Sequence, residues 1–392
     1  MTLPNAISDR RYDLDWLRIC AFELLIFYHV GMFYVTWGFH VKSSHAGPAA
    51  EPFMLLLNPW RLTLLFIISG CATRFMLDKM KPGAFIRSRS LRLMVPLVFC
   101  VFVIVPPQTY FEIVEKLGFT GSFGEFYGKY VTASGGWGII TPTYNHLWFV
   151  LYLFLYTLLV VVIGPLLKRL PRQLSALATG LPVILIPVLF LFATRAFLEP
   201  MFEETHALVD DWYGHAVNFS ALLFGYAIAK HEAFFEFCQR IRWPMLATAL
   251  IAWATLVTVR YGGFVTVQPD SVIAQFVGPA LRELQAWTMI LALFGFARQH
   301  LRHDNGARRY LTDAIFPFYI IHQTTIVVAG HYLNQVGLLV WIEAPVLIAT
   351  TVPSCWIGYE IVRRIAIPRP LFGLKAQVDR VGRSHTPQPA AS

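Results

Sequence analysis

The sequence predicts an all-α, polytopic membrane protein: about ten transmembrane helices in one bundle, with the N and C termini in the cytosol. Three observations predict it. Of 392 residues, 56% are hydrophobic and only 14% charged, against roughly 45–50% and about 25% in a soluble domain. Mean hydropathy is +0.54. The basic residues fall in short connections of alternating sidedness, which argues for membrane orientation and against nucleic-acid binding despite a net charge of +9.

A spanning helix needs about 20 apolar residues to cross a core of roughly 30 Å. Ten segments meet that requirement: 17–37, 60–77, 93–111, 146–167, 176–197, 212–230, 243–261, 277–297, 311–332 and 337–362. Residues 1–16 are polar and mixed in charge, and the apolar run behind them is too long for a signal-peptide core, so the first segment is expected to stay in place as a helix behind a short cytosolic leader. Glu23 interrupts the first segment, Arg74 the second, and Arg282 with Glu283 the eighth. Ten crossings from a cytosolic N-terminus place 24 of the 32 Lys and Arg residues inside, including Arg10, Arg11, Arg18, Arg87, Arg89, Arg92, Lys168, Arg169, Arg172, Arg308 and Arg309. Lys42, Arg61, Lys116, Lys129, Arg195 and Arg260 fall outside, and that bias fixes the orientation. The outer connections 38–59 and 112–145 are long, and the second is rich in Gly and aromatics; they are expected to cap a substrate entrance. Residues 17–373 form the membrane domain, and 374–392, polar with Pro and Ser, are expected to be a disordered cytosolic tail.

The five cysteines have neither metal spacing nor a paired framework. Four lie in apolar segments and Cys238 in a basic loop; all read as small buried hydrophobes, and neither a metal nor a bound cofactor is expected.

In the first segment, Arg18 and His29 stand eleven residues apart. At about 100° per residue they share one helix face, three turns and roughly 16 Å apart. His29 thus sits near mid-membrane, either as a functional group or as one partner of an interhelical hydrogen bond. Arg18 is either a snorkelling anchor or part of the same site. Glu23 is off that face by roughly 120–140° and reads as a structural ion-pair partner for an arginine of another helix. Arg74 either snorkels or acts in the site. Arg282 and Glu283 are adjacent and do not face one another, so each needs a partner elsewhere, in an acceptor pocket or a packed polar network. Tyr319 and His322 share a face, with His322 read as a satisfied core histidine or a site residue. Trp148 is expected in the interfacial aromatic belt beside His146, a possible glycan contact. Ser69 and Gly70 suit close helix packing.

Taken in order, several of these segments resemble the acyltransferase-3 family of integral membrane O-acyltransferases. Arg18 with ten residues to His29 is similar to the family's first-helix signature. Phe66-Ile67-Ile68-Ser69-Gly70 resembles its F-x-x-S-G segment. Arg89-Ser90-Leu91-Arg92 resembles its R-x-x-R element, with Pro96 one residue further on than in the family's pattern. His146-Leu147-Trp148-Phe149 and Phe318-Tyr319-Ile320-Ile321-His322-Gln323 also look like family segments. The ending Arg369-Pro370-Leu371-Phe372-Gly373 resembles the glucan-biosynthesis C branch, whose members are assigned succinyl transfer to periplasmic glucans. The resemblance implies transfer of an acyl group from cytosolic acyl-CoA to a hydroxyl of a glycan or glycolipid, in a bacterial inner membrane. His29 would be general base or covalent acyl carrier. Arg18, with Arg87, Arg89, Arg92 and Arg74, would meet the donor's phosphates. The competing reading is a secondary transporter or exporter, kept open by prolines inside apolar segments at Pro187, Pro317, Pro345 and Pro353; a non-catalytic membrane scaffold is the third. Oligomeric state leaves no mark in the sequence.

Overall fold

A computed structural model describes residues 10–167, 178–263, 271 and 273–376. The basic residues Lys168, Arg169 and Arg172, and the tail beyond 376, lie outside the described residues. Among those described there is no β-strand. The helices in chain order are α1 (Tyr12–Tyr34), α2 (Glu51–Leu77), α3 (Pro82–Arg89), α4 (Val95–Val103), α5 (Pro106–Leu117), α6 (Phe123–Val131), α7 (Trp148–Leu167), α8 (Gly180–Ala193), α9 (Trp212–Ile228), α10 (Glu232–Tyr261), α11 (Gly278–His300), α12 (Gly306–Val336) and α13 (Val340–Arg364).

Where described, the ten predicted segments are helical, the third of them split in two, but the described residues contain seven helices long and apolar enough to cross a membrane, or eight if the bent pair Pro82–Val103 and Pro106–Leu117 is one span. Helices α9 and α11 fall outside that set. α9 has 17 residues, and α11 opens with Arg282, Glu283 and Gln285 and is buried along much of its length. By contrast, α8 exposes Leu181, Leu185, Ile186, Leu189 and Phe190, a continuous apolar face suited to lipid.

The third segment, predicted as one helix over 93–111, is broken. A π turn at Ser90–Met94 precedes α4, and a 41° bend separates α4 from α5. Pro106 and Pro107 cause the bend, because neither supplies an N–H and each ring clashes with a carbonyl one turn back. The freed carbonyls are met by other groups, as an apolar surround requires. Tyr127 donates to the Phe102 carbonyl at 3.1 Å, Tyr130 to Val101 at 2.8 Å and Thr324 to Ile104 at 2.8 Å. The two tyrosines come from α6, so the stretch expected to be a loop over 112–145 instead contains the end of α5 and all of α6. Cys238 is likewise in a helix, not a loop: α10 begins at Glu232, and Cys238 is buried against α11, where a Cβ on Gly295 would overlap its carbonyl oxygen.

Two glycines fix the centre of the bundle. A Cβ on Gly70 of α2 would overlap the Leu222 carbonyl oxygen of α9, and one on Gly225 of α9 would overlap the Ile67 carbonyl oxygen of α2. The helices therefore meet backbone to backbone, as small residues allow in membranes. Polar contacts gather the turns at two ends. At one end Asp15 meets Arg308 at 2.6 Å, and Asp78 meets Lys230. At the other Ser43 meets Glu343 at 2.7 Å and Asn334 meets the Lys42 carbonyl at 2.7 Å.

Candidate active site

A cavity of about 590 Å³ opens between α1, α2, α7, α9, α11 and α12. Along α1 it is lined by Phe22, Leu25, His29 and Met32, a helical stripe at spacings of three and four. Ile139–Asn145 and Glu204–Ala207 contribute further lining.

His29 is not an isolated ring. Its Nδ1 lies 2.7 Å from Nε2 of His322 on α12, and the rings stack with centroids 5.0 Å apart. The proton positions follow from the partners. His322 Nδ1 faces only carbonyls, Tyr319 at 2.7 Å and Phe318 at 3.2 Å. A carbonyl can only accept, so His322 Nδ1 carries the proton and its Nε2 is an acceptor. His29 Nδ1–H therefore donates to His322, and neutral His29 keeps its lone pair on Nε2. That nitrogen has no partner among the described residues, and His29 lines the cavity. The same logic fixes His146. Its Nε2–H donates to the Tyr319 carbonyl at 3.1 Å, and its Nδ1 accepts from Gln108 at 3.4 Å. Tyr319 donates its hydroxyl back to the His146 carbonyl. The Tyr319 carbonyl thus holds both rings and ties His146 to α12.

A second string of polar groups was missed by sequence reasoning. Gln323 donates to Gln108 Oε1 at 3.2 Å and to His40 Nε2 at 2.9 Å, and His40 Nδ1–H donates to Glu112 at 2.6 Å. Asn145 also donates to Gln108, at 3.2 Å. Gln108 and Gln323 are buried, and two glutamines inside otherwise apolar runs were the signal available.

The other predicted residues fall into three groups. Trp148 is buried, not in a lipid-facing belt: it lines the cavity and packs against His206 with centroids 4.1 Å apart. Arg282 and Glu283 also line the cavity. Their main partners are elsewhere, as expected: Asn58 accepts from Arg282 at 3.3 Å, and Glu283 pairs with Arg195 at 2.5 Å, while the two neighbours approach only to 3.8 Å. Glu204 sits across from them. Burial raises its pKa, but His206 at 3.4 Å and the charges of Arg195 and Arg282 outweigh burial and hold the carboxyl below its ordinary range.

The second group lies toward the opposite end of α1. Arg18 is part-buried, 3.7 Å from Asp15, and its Nε is buried with no hydrogen-bond partner. Arg89 also has an unpartnered buried Nε. Arg18, Arg89 and Arg92 are close enough to repel one another, and Asp313 attracts Arg18 and Arg92. Phe22, which lines the cavity, is one turn from Arg18.

The third group is apart from both. Arg74 pairs with Asp78 at 3.1 Å, and Arg87 is exposed on α3. Ser69 does not line the cavity. Glu23 does not form the expected ion pair: among the described residues its electrostatic neighbour is Cys20, one turn earlier. Among the described residues no cluster of His, Cys, Asp and Glu could hold a metal ion.

Comparison with known proteins adds three findings. The acyltransferase-3 family model, described as an acyltransferase domain, matches residues 11–360. The chain is 24% identical to glucans biosynthesis protein C of Shigella dysenteriae serotype 1 (strain Sd197) and 22% identical to that of Escherichia coli O139:H28 (strain E24377A / ETEC), each over 95% of this chain and 97% of the relative. With the protein of that name from Escherichia coli strain K12 the identity is 23%, over the same shares. No solved structure matches.

Proposed function

The chain belongs to the acyltransferase-3 family, and with its long apolar helices it is a multi-pass membrane acyltransferase; from that premise we propose that it moves an acyl group from cytosolic acyl-CoA onto a hydroxyl of a glycan or glycolipid. One observation carries the proposal: the free Nε2 of His29, its tautomer set by His322, faces a cavity with room for a substrate. A hydroxyl is a poor nucleophile at neutral pH, and an imidazole with an ordinary pKa near 6.5 is suited to take its proton. In the direct route, Nε2 accepts that proton as the oxygen attacks the thioester carbonyl. The C–S bond then breaks and the departing thiolate takes the proton, leaving an ester and free thiol. In the covalent route the same nitrogen first attacks the thioester carbonyl and the C–S bond breaks, releasing thiolate; the hydroxyl then takes the acyl group, and the proton it gives up balances the thiolate as thiol. His322 is a positioning residue in both.

The donor's phosphates are placed at Arg18, Arg89 and Arg92. Guanidinium groups with unfilled donors suit multivalent phosphate. From there the donor's long flexible arm leads past Phe22 toward His29, about 16 Å along the helix. Ten spans with both ends cytosolic, in a bacterial inner membrane, put that end inside and the cavity outside. The glycan acceptor is supported by the relatives, whose name speaks of glucans.

The test uses purified protein and acyl-CoA. Thiol release that requires an acceptor and disappears in His29→Ala is expected. Glycan flux without thiol release, persisting in His29→Ala, would replace the enzyme with a transporter. Single turnover without acceptor separates the routes, since a thiol burst equal to the enzyme marks the covalent one. Mass spectrometry of envelope glycans, with and without the gene, names the acyl group and acceptor together.

A further inference from the structure

Loop charge places Arg61 among the few basic residues expected on the outer side of the membrane. The structure gives it a different setting. It is 3% exposed, in the wall of the cavity, about two turns ahead of Ser69 on α2. Its guanidinium lies over the Tyr28 ring, 3.5 Å from the centroid, and Tyr28 is the residue before His29. Its Nε and Nη1 are buried without hydrogen-bond partners. No carboxylate is within ion-pair distance among the described residues, because those nearby are engaged elsewhere. Arg195 holds Glu283 at 2.5 Å and Glu199 at 3.0 Å, and Glu204 is 3.4 Å from His206. A buried guanidinium with open donors is costly, and a face of an aromatic ring offsets only part of that cost.

A second open guanidinium completes the setting. Arg282 also lines the cavity, and its buried Nε has no hydrogen-bond partner among the described residues, with Glu283 standing off at 3.8 Å. It bonds Asn58 at 3.3 Å, and Asn58 in turn donates to the Tyr28 hydroxyl at 2.9 Å. Arg61, Tyr28, Asn58 and Arg282 thus form one row along the cavity wall beside His29.

We infer that Arg61, with Arg282, forms an anion subsite that holds a single negative charge, a carboxylate or a phosphodiester, carried by a substrate in the cavity. Arg61 supplies the donors and Tyr28 fixes the plane of its guanidinium. The charge could arrive on the acyl group or on the acceptor; either would be held beside the base, where the two reactants meet. That final step rests on the acyl-transfer reading, but the subsite itself does not.

Binding is tested first, with the full-length protein in detergent at constant ionic strength held by chloride. The probes are acetate and dimethyl phosphate, against their uncharged counterparts acetamide and trimethyl phosphate. The charged probes are expected to raise the unfolding temperature saturably and the uncharged ones to leave it unchanged. Arg61→Gln should weaken anion binding tenfold or more, and Arg61→Lys should keep part of it. Equal responses to charged and uncharged probes in the unsubstituted protein overturn the subsite, whether or not the variants fold. So does an Arg61→Gln protein that binds acetate normally. Transfer assays then find the source. An acyl-borne charge predicts that Arg61→Gln loses its preference for a half-acid over a half-amide acyl donor. An acceptor-borne charge predicts loss of preference for an anionic over a neutral glycan. If both preferences survive, the substrate assignment is wrong. A protein that binds the anions but never releases thiol keeps the subsite and sinks the transfer reading instead.

Discussion

The two ends of the α1 stripe are built on opposite principles. Around His29 the ring nitrogens of His322, His146 and His40 are all engaged, on His29 itself, carbonyls, amides or Glu112. Around Arg18 and Arg89 the donors are left open, each with a buried Nε that nothing among the described residues fills. A base must be aimed before substrate arrives, because a wrong tautomer offers a proton where a lone pair is needed. A phosphate holder must instead keep its donors free, because the ligand is what completes it. The contrast suggests that damage at one end shows in turnover and damage at the other in donor affinity.

The largest expected effect tests the aimed end. His29→Ala should lower turnover by about 10²–10⁴-fold, the usual share of a general base, with donor KM little changed; stopped thiol-release assays check it. Next comes the open end. Arg89→Ala should raise the KM for acyl-CoA about 10–100-fold, the equivalent of one charged hydrogen bond of about 1.5–3 kcal/mol. An acyl-pantetheine donor, which lacks the nucleotide phosphates, should be unaffected. If both donors suffer equally, the contrast between the two ends is broken. A smaller effect sharpens it: His322→Ala should cost about tenfold in kcat, near the value of one oriented hydrogen bond. His322→Gln should recover most of this, since its amide can donate to the Tyr319 carbonyl while its oxygen accepts from His29. Smallest of all, Tyr130→Phe should leave both kinetic constants alone and cost about 1 kcal/mol of stability, read as a lower unfolding midpoint, because its hydroxyl serves the broken helix at Val101 and the loop at Thr143.

Much of the frame was legible in the sequence because apolar length and loop charge are local properties. The segments around His29, Ser69, Trp148 and His322 all fall on helices or their first turns. What was not legible depends on which helix stands beside which. The His29–His322 contact joins residues 293 apart, and periodicity on one helix says nothing of its neighbour. Arg61 was read as a topology charge, since a lining arginine and an anchoring one look alike in sequence. Trp148 was assigned to the membrane interface for the same reason. The break in α3–α5 was signalled by Pro106-Pro107 but hidden by the apolar run around them.

The contact between α2 and α9 has a mechanical consequence. Where main chains touch through Gly70 and Gly225, no layer of side chains is left to act as a bearing. The two helices are welded into a single beam. That beam carries Arg61 on one flank and Tyr213 and Asn218 on the other, all in the cavity wall. One side of the chamber is thereby rigid, and any breathing that admits a bulky acceptor falls to the facing side, where α7 reaches the 199–211 connection only through its side chains, Tyr152 to the Ala207 carbonyl and Trp148 to His206.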